Sequence, residues 1–120
     1  MGNIVESVVE RGNPGVTVIF STAQGTDTFP LHHSDARTTL LINNTGDKDA
    51  TITVKAGDGT TAAEGDFTFV VKAKTFYALP VTSIDSSRIK EIANNVGNLI
   101  ETVPDGGVIS SVGIAVIAVE

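Results

Sequence analysis

The 120 residues include no cysteine, no tryptophan, one tyrosine and one methionine. Without cysteine there are no disulfides, no thiolate metal ligands and no thiol nucleophile, so the fold rests on its packed interior alone. Carbohydrate-binding modules stack sugar rings on exposed aromatic side chains, and a chain with one Tyr and no Trp has little to offer them. Basic residues are also scarce. Eight Lys and Arg stand against fourteen Asp and Glu, for a net charge of −6, and the charges are scattered. A protein that binds duplex nucleic acid needs a basic face, and none is visible. The apolar run from Val108 to Val119 is twelve residues long, too short to cross a bilayer. The first twelve residues lack the basic and apolar regions of a secretory signal, so a cytoplasm is the expected place of synthesis.

What remains is rich in glycine, 12 of 120, and in β-branched aliphatics, a mix that favours sheet over helix. The size fits one domain able to bury roughly two thirds of the surface its unfolded chain exposes. The centre of the chain, RTTLLINNTGDKDATITVKAGDG from Arg37 to Gly59, shows the pattern most plainly. Thr38 to Ile42 is a strand, Asn43 to Asp49 is dense in turn formers, and Thr51 to Ala56 alternates. In that second strand Ile52, Val54 and Ala56 take one face and Thr51, Thr53 and Lys55 the other. The expectation is a hairpin with a long loop.

Upstream, Ile4, Val5, Val8 and Val9 mark residues 1–12 as an arm, either an edge strand of the domain or a segment buried against a neighbouring molecule. Gly12-Asn13-Pro14-Gly15 breaks the chain, and residues 13–120 form the domain proper. Val16 to Phe20 reads as a strand, Thr22 to Asp27 as a turn, and Thr28 to Leu31 as extended chain. Downstream, Phe67 to Val71 pairs with Thr75 to Val81 across Lys72-Ala73-Lys74 in a second hairpin. That hairpin holds three of the five phenylalanines and the tyrosine, so much of the core is expected there. A helical turn is expected near Ser87 to Ile92 and a strand from about Asn98 to Val103. Pro104 to Gly107 makes a turn. Gly113 to Val119, apolar on both faces, is expected at the centre of a sheet. The sum is an all-β, antiparallel sandwich of about eight strands, Ig-like or jelly-roll-like, with at most one or two helical turns.

Three groups of residues invite a chemical reading. Gly57-Asp58-Gly59-Thr60-Thr61-Ala62 matches a loose dinucleotide fingerprint, but Gly65 and Asp66 arrive too soon for the helix whose N-terminus would receive a pyrophosphate. It reads as a turn. His32, His33, Ser34 and Asp35 are the residue types of a hydrolytic triad, yet adjacent residues cannot converge as nucleophile, base and orienter. They read as a solvated loop, with no third soft ligand to make the His pair a metal site. Asp47, Asp49, Asp58 and Asp66 lie on loops that could meet around Ca²⁺, without EF-hand spacing. Arg88 and Lys90 read as solvated. No catalytic residue, cofactor or metal ligand is assigned.

The runs FPLHHSDARTTLLINNTGDKDATITVKAGDG, EGDFTFVVKAKTFYALPV and SSRIKEI resemble a group of small tailed-phage virion proteins, the head decoration proteins. The shared pattern is an R-T-x-L-L strand, a Gly/Asp turn, a TxTVxAGDG-like strand, a GDxTxxV strand and a Pro…Ser-x-R corner. Here these fall at Arg37 to Asn43, Thr51 to Gly59, Gly65 to Val70 and Pro80 through Arg88. The chain departs from the pattern between Glu91 and Gly107, where it is longer. The resemblance implies a non-enzymatic β-sandwich on the outer surface of an assembled head, made in the host cytoplasm. Its partner would be the major capsid protein, with self-association there, a trimer being one form, and no nucleic acid or membrane. Candidate interaction residues are Ile4, Val5, Val8 and Val9. The other classes consistent with the residues are a tail or connector module and a carbohydrate- or host-surface-binding sandwich.

Overall fold

The computed structural model describes residues 2–10, 12, 15–59, 62–81, 86–92, 94–104 and 106–119. Asn13 and Pro14 of the expected breaker, Thr60 and Thr61 of the loose fingerprint, residues 82–85 of the expected corner and Asp105 of the last turn lie outside these. Among the described residues, ten strands make two sheets. In chain order they are β1 Gly2–Asn3, β2 Glu6–Val9, β3 Ser21–Thr22, β4 Thr26–Pro30 and β5 Thr38–Asn44. β6 Ala50–Val54, β7 Phe67–Val71, β8 Thr75–Pro80, β9 Val96–Thr102 and β10 Val112–Val119 follow, with one helical turn, α1 Ser86–Ile89, between β8 and β9. One sheet, which we call the hydroxyl sheet for its outer face, has the order β1-β4-β9-β6-β7. The other, the apolar sheet, has the order β2-β10-β5-β8, with β3 also on β10.

The pairs are nested. β6 pairs with β7, β5 with β8, β4 with β9 and β3 with β10, all antiparallel. One long hairpin with its tip between β6 and β7, rolled so that β10 also meets β5 and β9 also meets β6, gives this order. It is the topology of a jelly roll. The arm then adds a parallel strand to each sheet, β1 beside β4 and β2 beside β10, so the sheets are mixed rather than purely antiparallel.

Both expected hairpins are therefore something else. β5 and β6 lie in different sheets, as do β7 and β8, and the two turns between them are arches that carry the chain from one sheet to the other. The arches lie against each other. Asp49 accepts from the Ala73 N–H at 2.9 Å, and Asp47 pairs with Lys74 at 3.0 Å. The true hairpin, β6 to β7, closes over the stretch from Lys55 to Asp66. An arch and a hairpin want the same turn residues, and what separates them is which long-range partner buries each strand.

Inside the sandwich the alternation is as read. Thr38, Leu40, Ile42 and Asn44 of β5 point inward, as do Ala50, Ile52 and Val54 of β6. The interior is aliphatic more than aromatic. Phe29 is fully buried, Phe67, Phe69 and Tyr77 pack on the core from its margin, and Phe20 and Phe76 are exposed. Residues 16–20 form no strand, and Val16, Ile19 and Phe20 are open to solvent. Of the arm's aliphatics, Ile4 is buried in the chain's own core, its N–H bound to Thr28 O at 2.7 Å. Val8 and Val9 are half-buried and Val5 is exposed.

Asn44 is the polar exception that explains itself. Wholly buried at the end of β5, its amide donates to Lys48 O at 2.9 Å and to Val71 O at 3.1 Å and accepts from the Gly46 N–H. One side chain thus shapes the first arch and ties the two sheets together. Asn44→Ala is expected to cost about 1–3 kcal/mol through the groups it strands, while outward-facing Asn43→Ala costs about 0.5 kcal/mol or less. Urea titration of the two variants checks this, and equal losses would contradict it.

Candidate interaction surface

The two outer faces differ in chemistry. On the hydroxyl sheet, Thr26, Ile100, Thr53 and Thr68 share one rung across β4, β9, β6 and β7, and Thr102, Thr51 and Val70 share the next. On the apolar sheet the outward rungs are Gly113, Asn43 and Phe76, then Ala115, Leu41 and Ala78, then Ile117, Thr39 and Pro80. None of these nine residues is charged. Ile19 and Phe20 lie over part of this face. The Ile19 N–H reaches Ser7 Oγ at 3.4 Å, and Ser7 and Ala115 are covered although they point outward. Phe20 meets Phe76 edge to face with centroids 5.6 Å apart. Beside this pair Ile19 is 53% and Phe76 56% exposed, large values for apolar side chains of this size.

The residues singled out for chemistry are mostly occupied by structure. His33 Nδ1 lies 3.3 Å from Glu6 Oε2 of β2, so it links the arm to the body rather than standing free in solvent. His32 is exposed, and Asp35 opens the 3₁₀ turn Asp35–Arg37 that leads into β5. No triad geometry arises from them. Of the loop aspartates, Asp47 and Asp49 hold the arches together. Asp58 accepts from the Ile92 N–H at 2.9 Å, and Asp66 from the Ala56 N–H at 2.7 Å and Lys55 at 2.8 Å. The bond from Lys55, then that from Ala56, holds the Asp66 carboxyl below its usual range. Among the described residues no three His, Cys, Asp or Glu side chains gather as a metal cluster, and no ligand-sized cavity is present.

The Gly57-Asp58-Gly59 signal has a structural cause. A Cβ at Gly57 would run into the backbone of Ile89 and Lys90, and one at Gly59 into that of Ser87. The two glycines let the β6 end lie flat on α1, where the Gly57 N–H donates to Arg88 O at 2.9 Å. Arg88 is not a solvated side chain, as its sequence context suggested. Its guanidinium donates to Gly65 O at 2.8 Å and Asp66 O at 3.1 Å and lies 5.8 Å from the Phe67 ring centroid. The AGDG, GD and S-x-R elements of the resemblance therefore meet at one corner, where α1 clamps the tip of the rolled hairpin.

No protein family, curated protein or solved structure matches the chain.

One buried feature was not foreseen from the sequence. Asp27 of β4 and Glu101 of β9 point into the sandwich as diagonal neighbours, 2% and 3% exposed. Glu101 stands opposite Gly25, whose carbonyl accepts its N–H at 2.9 Å. Asp27 Oδ2 accepts from the Gln24 N–H at 3.0 Å, but Asp27 Oδ1 and both carboxylate oxygens of Glu101 have no partner. Burial first, then contact with Asp27, pushes the Glu101 carboxyl up to about 9, against a weaker opposing pull from the Gln24 backbone N–H. The signal available in the sequence was an acidic residue at an inward position of each strand, in TDTF and in LIET.

In buffer freed of divalent ions the folded chain holds a proton on Glu101 that the unfolded chain releases near 4.5. The unfolded state then binds fewer protons, so stability is greatest below that value and declines as pH rises towards about 9. The slope contributed is at most about 1.4 kcal/mol per pH unit. Urea midpoints taken at about pH 5 and about pH 8 are expected to differ in the native chain and to converge in Glu101→Gln. An undiminished gap in the variant would contradict this.

Proposed function

We propose that the chain is a structural protein of a tailed-phage virion, a decoration protein that seats on the outside of the assembled head and reinforces it. The observation that carries this reading is the uncharged apolar face around Phe76, Ala78, Leu41 and Phe20. On a chain of net charge −6, the charged side chains lie mainly in the loops, arches and ends, and a sheet face free of them is a surface suited to another protein. The resemblance supplies the partner class, the major capsid protein, and its motif residues lie together at the corner where α1 meets the rolled hairpin. A fold hosts many functions, so the jelly roll itself does not choose among them. A cysteine-free sandwich fits a particle assembled in a reducing cytoplasm and then released.

The test is co-sedimentation with capsids assembled from a major capsid protein of the same genome, followed by imaging of where the protein lands. Phe76→Glu is expected to cost about 1 kcal/mol or less in stability, because the ring is largely exposed, and to weaken capsid binding at least about tenfold. Thr53→Glu, on the opposite face, is expected to leave binding unchanged. Loss of binding in Thr53→Glu but not in Phe76→Glu would overturn the choice of face. No co-sedimentation by the native chain would overturn the virion reading.

A further inference from the structure

We propose that Asp27, Glu101 and Gln24 form a binding site for a hard divalent cation, held by oxygen ligands beneath the N-terminal strand β1. The proposal rests on packing and not on the capsid reading. Three carboxylate oxygens, Asp27 Oδ1 with Glu101 Oε1 and Oε2, are buried side by side without a partner. Buried unpaired acceptors are rare because each forfeits its hydration, and two adjacent carboxylates cannot both stay ionised there without a cation. A single shared proton offers one answer, an O–H from Glu101 to Asp27 Oδ1. It leaves the second Glu101 oxygen with the weak pull of the Gln24 N–H, short of a hydrogen bond. A divalent cation takes all three oxygens and balances both charges.

The surroundings supply more of what such an ion needs. Gln24 brings its side-chain amide to the same place. A Cβ built on Gly2 would collide with Asp27 Oδ1 and stand 2.9 Å from Gln24 Nε2 and 3.1 Å from its Cδ. Amide nitrogen and oxygen exchange by a half-turn of that group, so the amide carbonyl is in position to join as a neutral oxygen ligand. The Gln24 N–H holds the outer oxygen of Asp27 and so aims the other one inward. Carboxylate and amide oxygens with no nitrogen or sulfur are the ligand set of Ca²⁺, Mg²⁺ or Mn²⁺ rather than Zn²⁺ or Cu²⁺. Gly2 roofs the site. Its place in β1, paired to Asp27, has no room for a side chain, which ties the docking of the arm to the pair below.

The experiment begins with chelator-treated protein at about pH 8, melted alone and then with Ca²⁺, Mg²⁺ or Mn²⁺. At an ion concentration about a hundredfold over Kd, the melting temperature is expected to rise by roughly 10 °C with at least one of them. Binding heats measured in buffers of different ionisation enthalpy are expected to report about one proton released per ion, the one leaving Glu101. Glu101→Gln and Asp27→Asn are each expected to lose the thermal shift. Should neither variant fold, Mn²⁺ broadening of the native chain's amide signals decides. Signals from residues 24–27 and 99–102 are expected to fade first. No thermal shift with any of the three ions overturns the proposal, and the pair then shares a proton only. A shift that persists in both variants, or broadening centred on residues 47–49 or 58–66, overturns it in favour of surface aspartates.

Discussion

Everything in this sandwich depends on where β10 lies. Val112, Ile114, Val116 and Ala118 face the interior and pair along their full length with β5, whose inward residues are Thr38, Leu40, Ile42 and Asn44. The opposite edge of β10 is shared by two short pieces of early chain, β3 at Ile114 and Gly113 and β2 from Val116 to Val119. The last strand therefore closes the roll and anchors the arm at once. With so much of its surface covered, β10 has to be apolar on both faces, and its outward Ala115 is as buried as its inward neighbours. Until β10 docks, β5 lacks its inner partner and the arm has no edge to join in the apolar sheet. Closure of such distant pairs comes at a high cost in chain entropy, which the buried aliphatic rungs must offset.

The parts of the fold legible in the sequence are those set by local alternation. Ile52 and Val54 inward and Gly113 to Val119 central follow from period and burial, and the structure has them; the helical turn expected near Ser87 to Ile92 is present but shorter, at Ser86–Ile89. Strand partners are another matter. Asn43 to Asp49 and Lys72 to Lys74 hold the turn formers of a hairpin, yet each turn spans the gap between sheets. Nothing within seven residues distinguishes the two, because the choice lies with β8 and β7, far along the chain. Val16 to Phe20 has a strand's composition, but β2 and β3 already occupy the adjacent edge of β10. Ile19 and Phe20 instead lie over the sheet, and Val16, Ile19 and Phe20 stay exposed.

The candidate surfaces were less legible still. The arm's Ile4, Val5, Val8 and Val9 could be picked out as aliphatics in search of cover, and the structure gives Ile4 its cover within the chain. The apolar outer face could not be read, because Phe76, Ala78 and Pro80 look like the outward half of any strand until their rungs with Leu41 and Ile117 are known. Asp27 and Glu101 each sit at an inward position that would ordinarily be apolar. Seen singly, each passes for an edge residue, and only the β4–β9 register reveals that they share a site. Arg88 shows the same limit: its partners are main-chain carbonyls, which have no signature in the sequence.

The rolled hairpin is the claim from which the apolar face, the acid pair and the clamped corner all follow. Backbone proton–proton distances in the labelled chain, read from nuclear Overhauser spectra, test it most directly. The account predicts cross-strand contacts joining Ile42 to Tyr77 and to Ile114, and Ile52 to Phe69. A ladder of contacts joining residues 38–44 to residues 50–56 would mean that the first turn is a hairpin after all. The two faces described here would then not exist.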